Sequence, residues 1–178
     1  QEKCLRIYDA VDYAENAFNV PVVAYSGAND AQKKAADNIE NALKGFKEPL
    51  RFTHLVAPGL AHQMPAEWQA KAEAEYRKYA ERGRDPNPKR IRLVTYSLRY
   101  ASCDWLMIWG LERSYEKAVV DVTREGNRFT LTTANVNELR LMEDKDGGRK
   151  EVVVDGQQLK INPEAVFWLI KRNGKWKQ

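Results

Sequence analysis

Cysteine is scarce in this chain: Cys4 and Cys103 are the two among 178 residues. That is too few for a disulfide framework, and their spacing offers no metal-ligand pair. Two unrelated thiols are favoured over a bridge. Long apolar runs are missing as well. No stretch approaches the roughly 20 residues that cross a bilayer, so no membrane partner is expected. The opening Gln1-Glu2-Lys3-Cys4 holds no apolar signal core and reads as if cut from a longer chain. A pooled basic face is absent too. The 29 lysines and arginines stand against 25 acids for a formal charge of +4, with the two signs interspersed. Nucleic-acid binding calls for a basic surface with interleaved aromatics, so no nucleic-acid partner is expected. Histidine occurs only at His54 and His62, and no Gly–x–Ser–x–Gly element occurs anywhere. The strained turn that exposes a nucleophilic serine is therefore not in these residues.

What is present reads as ordinary globular sequence, 43% hydrophobic and 30% charged. Its length suits one domain or two small ones. Apolar spacings of three and four predict a helix over residues 5–18, stopped at Asn19-Val20-Pro21 because the residue before proline is pushed to extended geometry. Residues 20–25 are continuously apolar, the pattern of a strand covered on both faces. Residues 31–44 carry Ala35, Ile39, Ala42 and Leu43 on one stripe, with Gly45 as the C-cap. Residues 51–56 read as the next strand. Residues 66–82 read as a helix with Trp68, Ala72, Tyr76 and Tyr79 inward and Gly83 at its end. This order predicts a right-handed parallel strand–helix–strand unit.

That topology places two polar groups together. Asp30 follows the first strand through Ser26-Gly27-Ala28-Asn29, and His62 follows the second through Pro58-Gly59-Leu60-Ala61. Neighbouring strands lie about 4.8 Å apart, so both side chains leave the same rim, where ligands of open α/β sheets gather. Alone, Asp30 reads as a helix N-cap and His62 as a solvated loop residue. Paired, they read as a carboxylate that holds an imidazole in one tautomer while it works as general base. His54, inside a strand, reads as packing or a local hydrogen bond.

The run from Pro21 to Asp30, followed by a helix, a strand and Gly59-Leu60-Ala61-His62, resembles the last third of the α/β-hydrolase fold. It is similar in detail to the prolyl-oligopeptidase-like serine hydrolases. Tyr8-Asp9, Asp12-Tyr13, Asn19-Val20-Pro21 and Gly83-Arg84-Asp85-Pro86 resemble a bacterial subgroup of that clan with a β-rich tail. The resemblance implies Asp30 as triad acid and His62 as general base. It also implies an exported compartment and a missing N-terminal part of the hydrolase domain that brings the serine and the oxyanion donors. Ala61 departs from the glycine that often precedes the histidine.

The stretch 84–90, rich in turn signals, predicts a linker between a hydrolase segment at 1–83 and a β-rich domain at 91–178. Alternating strands follow, and Asp155-Gly156 and Asn173-Gly174 mark hairpins. The expected fold class is α/β plus all-β: a partial hydrolase sheet, then a small β-sandwich or barrel. Trp105, Trp109, Trp168 and Trp176 are expected in its core rather than on a binding platform. Asp144-Lys145-Asp146-Gly147-Gly148 is expected as a charged turn, since its spacing fails the calcium-loop pattern. No metal or organic cofactor is expected. Two function classes follow. One is a serine hydrolase segment acting on a peptide or ester substrate and inactive by itself. The other is a non-catalytic module whose β domain recognises a peptide, glycan or protein partner. An exposed sheet edge is expected to pair two copies as a homodimer.

Overall fold

Ala14 and Ala17 lie three residues apart and are both buried, which suits a helix of three residues per turn. Residues Ala10–Phe18 form a 3₁₀ helix in place of the α-helix expected over 5–18. The computed structural model describes residues 6, 9–46, 48, 50–142, 150–161 and 166–178. Cys4, the start of that first helix and the charged turn at 144–148 lie outside the described residues. The chain forms two compact units, Ala10–Asp85 and Pro86–Gln178 with Gln1–Asp9.

In the first unit, strand β1 (Val22–Gly27), helix α1 (Lys33–Lys44), strand β2 (Phe52–Ala57) and helix α2 (Ala66–Ala80) follow in order. β1 and β2 pair in parallel from Val22↔Phe52 to Gly27↔Ala57. Leu43 of α1 joins Ala14 and Ala17 in a small core, with Val22, Ile39, Phe46, Leu50 and Phe52 against it. Gly45 is the C-cap of α1, as expected, and holds right-handed geometry, φ −77°, rather than the left-handed form common at that end. Gly83 does adopt φ +70°, and its N–H reaches the carbonyls of Tyr79 and Ala80, a left-handed helix stop. On α2, Ala72 is buried while Tyr76 is exposed, so the inward stripe is narrower than its aromatic spacing implied.

The α/β-hydrolase sheet is not what the structure contains. Among the described residues, parallel pairing in this unit stops at two strands, and four of the six residues in β1 are only half-buried. Strand makes up 43% of the described residues and helix 25%, which makes the molecule a mixed α/β protein dominated by β-structure. The apolar run in β1 reflects two strands under few helices, not the interior of a wide sheet.

The second unit holds two five-stranded sheets. The first, β10-β9-β7-β6-β3, combines β3 (Arg90–Thr95), β6 (Ala118–Glu125), β7 (Arg128–Ala134), β9 (Lys150–Val154) and β10 (Gln157–Ile161). The second, β12-β11-β8-β5-β4, combines β4 (Ser102–Cys103), β5 (Leu106–Leu111), β8 (Val136–Met142), β11 (Val166–Arg172) and β12 (Lys175–Lys177). Among the described residues both orders are open, so the barrel alternative does not hold. One hydrophobic cluster takes side chains from both sheets, among them Val120, Phe129, Leu139, Leu141, Phe167 and Leu169, all 0% exposed. The Asp155-Gly156 and Asn173-Gly174 pairs have positive φ at both residues, the type I′ geometry that matches strand twist, and they join β9 to β10 and β11 to β12.

Trp105 and Trp176 are core residues, 7% and 1% exposed. Trp109 and Trp168 are not. Leu106 and Ile108 point inward on β5, as do Phe167 and Leu169 on β11, so the period of two sends Trp109 and Trp168 outward. The core assignment is corrected for those two. On the other sheet, Asp121 accepts from Arg90 at 2.9 Å through both carboxylate oxygens and from Arg92 at 3.0 Å. Burial pushes its carboxyl up, but the two guanidiniums outweigh it and hold it below the usual range.

Candidate functional site

β1 and β2 end side by side at Gly27 and Ala57, and the chain after each end is stitched to the other. The Ala28 N–H donates to Ala57 O and the Asn29 N–H to Leu60 O, both at 2.8 Å. Gly59 turns the second loop with φ +71°. Asp30 then sits beside His62, with Oδ2 and Nδ1 2.8 Å apart. Its other oxygen, Oδ1, accepts from the Gln32 N–H at 2.8 Å. The N-cap of α1 is Gln32 and carries no side-chain cap, so the capping reading of Asp30 is corrected: one oxygen closes the turn that precedes the helix and the other holds the imidazole.

The two partners differ in exposure, 12% for the Asp30 side chain and 75% for His62. The carboxyl of Asp30 is held below its ordinary range, first by the Gln32 N–H and next by the hydrogen bond from His62, against a smaller opposing effect of burial. Facing an ionised carboxylate, Nδ1 carries the imidazole proton, which leaves Nε2 with a lone pair turned to solvent. No hydrogen bond to Nε2 exists among the described residues. Tyr25 supports the loop from below: its hydroxyl donates to Gln63 O at 2.6 Å, and its ring meets Trp68 of α2 at 5.9 Å. Sequence reasoning missed Tyr25, although its place next to Ser26-Gly27 at the strand end was the available signal.

No serine hydroxyl of the first unit completes this pair. Ser26 is buried, 6% exposed, and its Oγ lies 3.0 Å from Nε2 of His54. His54 Nδ1 faces Glu40 Oε2 at 3.3 Å and Asp37 Oδ1 at 3.8 Å. With its proton directed at Glu40, His54 accepts from Ser26, and the three tie β1, β2 and α1 together. The His54 side chain is 4% exposed, so no acyl carbon reaches this serine. Asp37, Glu40 and His54 also present donor atoms within 4.8 Å of one another. Lys33 already neutralises Asp37 at 2.5 and 2.8 Å, and Glu40 faces His54, so each member already has a partner in the protein. Ser97, Ser102 and Ser114 belong to the other unit, where Ser97 Oγ caps a short 3₁₀ turn by accepting from the Arg99 N–H.

Comparison with family models, curated proteins and solved structures finds no match to this chain. The resemblance to prolyl-oligopeptidase-like hydrolases is corrected by that result and by the β-dominated fold. A strand, a glycine turn and an acid, then a loop histidine, are features of one strand–helix–strand unit. Such a unit carries no information about strands beyond itself. The bacterial-subgroup expectation belonged to the same likeness and falls with it.

Gly27 fixes the approach of the two loops. A Cβ there would lie 2.1 Å from Ala61 O and 2.4 Å from Leu60 O, both backbone atoms that cannot swing aside. Gly27→Ala is therefore expected to push residues 60–62 away from β1 and separate Nδ1 from Asp30. Nitrogen-15 spectra of the His62 ring should lose the signature of a carboxylate-bound Nδ1–H. An unchanged ring spectrum would show that the loops do not depend on this contact.

Proposed function

We propose that Asp30 and His62 are the acid and the general base of a serine hydrolase acting on an acyl bond of a peptide or ester, with the nucleophile and the oxyanion donors supplied from outside these 178 residues. The observation that carries this reading is the directed hydrogen bond from Nδ1 to Oδ2, with Nε2 free on the solvent side. In the reaction, a serine hydroxyl attacks the acyl carbon as its proton passes to Nε2. The imidazolium then gives that proton to the leaving amine or alcohol. Water, deprotonated by Nε2 in its turn, releases the acid from the acyl-serine. Asp30 stays ionised throughout and stabilises the imidazolium while fixing its orientation.

The chain by itself is inactive on this reading, because nucleophile and oxyanion donors carry most of the rate enhancement. The test uses the complete gene product with a chromogenic acyl ester and a fluorophosphonate label. His62→Ala is expected to lower ester turnover by at least about 10³-fold and to abolish labelling of the serine. A turnover unaffected by that substitution sinks the assignment.

A further inference from the structure

Arg140 stands in the middle of the outward face of the sheet β12-β11-β8-β5-β4. Its β8 neighbours Leu139 and Leu141 point into the core, 0% exposed, so Arg140 points away from it. Across the ladder it pairs with Trp168 of β11 and Met107 of β5. Its Cζ lies 3.4 Å from the centre of the Trp168 ring and 4.4 Å from that of Trp109. The two indoles meet nearly edge to face, 5.6 Å apart at 75°. The guanidinium is therefore clamped by aromatic surface, an arrangement that favours the cation and fixes its plane.

Clamping leaves one of its donors unsatisfied. Nε is buried with no acceptor, and no carboxylate among the described residues forms an ion pair with this guanidinium. Other arginines of the same unit do have one: Arg90 and Arg92 share Asp121, and Arg113 meets Glu116. A partly buried cation is ordinarily paired, because unsatisfied donors away from water are costly. Beside it, a cavity of about 400 Å³ is lined by Leu98, Arg99, Met107 and Trp109 among others. That volume falls within the range of small-molecule sites. Trp109, 46% exposed, belongs to both the clamp and the cavity wall.

We propose that this face is a binding site for a small ligand that combines a ring with a carboxylate. The carboxylate pairs with the Arg140 guanidinium, whose fork matches two carboxylate oxygens. The ring lies on the exposed indole of Trp109 at the mouth of the cavity. Both a sugar acid and an aromatic acid have this chemistry. The site lies in the β-rich unit and is independent of the Asp30–His62 reading.

The test is a titration of the 178-residue protein with D-glucuronate, benzoate and neutral methyl glucoside, followed by NMR of the indole Nε1–H and arginine Nε–H signals. At least one acid should shift the Trp109, Trp168 and Arg140 signals saturably. Methyl glucoside should bind about tenfold more weakly or not at all. Glucuronate alone or benzoate alone identifies the source as sugar acid or aromatic acid. Arg140→Met should weaken binding by about tenfold or more, since a hydrogen-bonded charge is lost. Trp109→Ala, a substitution on the exposed surface, should weaken it as well. The core indoles of Trp105 and Trp176 report whether each variant keeps its fold. The proposal is overturned if neither acid gives a saturable shift, if the neutral sugar binds as well as the acids, or if a folded Arg140→Met binds unchanged.

Discussion

Asparagine in place of Asp30 is expected to leave the turn at residues 27–32 intact and to cut His62-dependent acyl turnover in the complete gene product by about 10⁴-fold. The amide oxygen still accepts from the Gln32 N–H, which Oδ1 does now at 2.8 Å, so the turn before α1 keeps its local support. The side facing His62 changes from an acceptor to an N–H donor. Nδ1 must then accept, the proton moves to Nε2, and the atom that serves as base no longer has a lone pair. Turnover and ring tautomer should therefore change together, while the melting transition moves little. A fall in turnover without a tautomer change would place the effect elsewhere, and full retention of turnover would remove Asp30 from the mechanism.

The same pair sets a pH dependence whose sign is fixed by the lowered carboxyl of Asp30. The unfolded chain binds that proton at about pH 3.9, above the pH at which the folded chain does. The contribution of the Asp30 contacts to stability is thus complete above the unfolded value and disappears as the pH falls through the folded one. Above that window the carboxylate is ionised whenever the imidazole is neutral, which is the combination a general base requires.

The Asp30–His62 pairing was legible in the sequence because it depends only on local rules. A buried strand, a glycine turn, a helix and a second strand make a parallel unit, and successive parallel strands end on one rim. The extent of the sheet was not legible, because a strand in a two-stranded pair and one in a wide sheet share the same apolar run. Continuous apolar character in residues 20–25 was therefore over-read as cover on both faces. The serine–histidine–glutamate link through Ser26, His54 and Glu40 joins three elements, and no spacing within any one of them announces it. The tryptophans divide by a rule that was available: alternation against Leu106, Ile108, Phe167 and Leu169 sends Trp109 and Trp168 outward. Counting them together as core ignored that alternation. The hairpin turns at Asp155-Gly156 and Asn173-Gly174 read correctly because positive φ at both positions is a property of those residues themselves.

The β-rich unit rests on its shared core, and Phe129 occupies the centre of it. β7 is the middle strand of its sheet, and the Phe129 ring, 0% exposed, touches Trp105 at 5.6 Å and Phe167 at 6.2 Å, both edge to face. Phe167 belongs to β11 of the opposite sheet, so this one side chain joins the two layers. Phe129→Ala removes the ring's transfer free energy and leaves a cavity between two strand layers that cannot collapse independently, a loss of about 3–5 kcal/mol. Four of the five tryptophans, at positions 105, 109, 168 and 176, lie in this unit, so tryptophan fluorescence follows its unfolding. The urea midpoint of that signal should fall by about 2 M. Phe129→Leu, which keeps most of the volume, should cost less than about 1.5 kcal/mol. The contrast separates packing from backbone effects: equal losses for the two substitutions would locate the damage in the strand, and no loss for alanine would mean that the ring does not join the sheets.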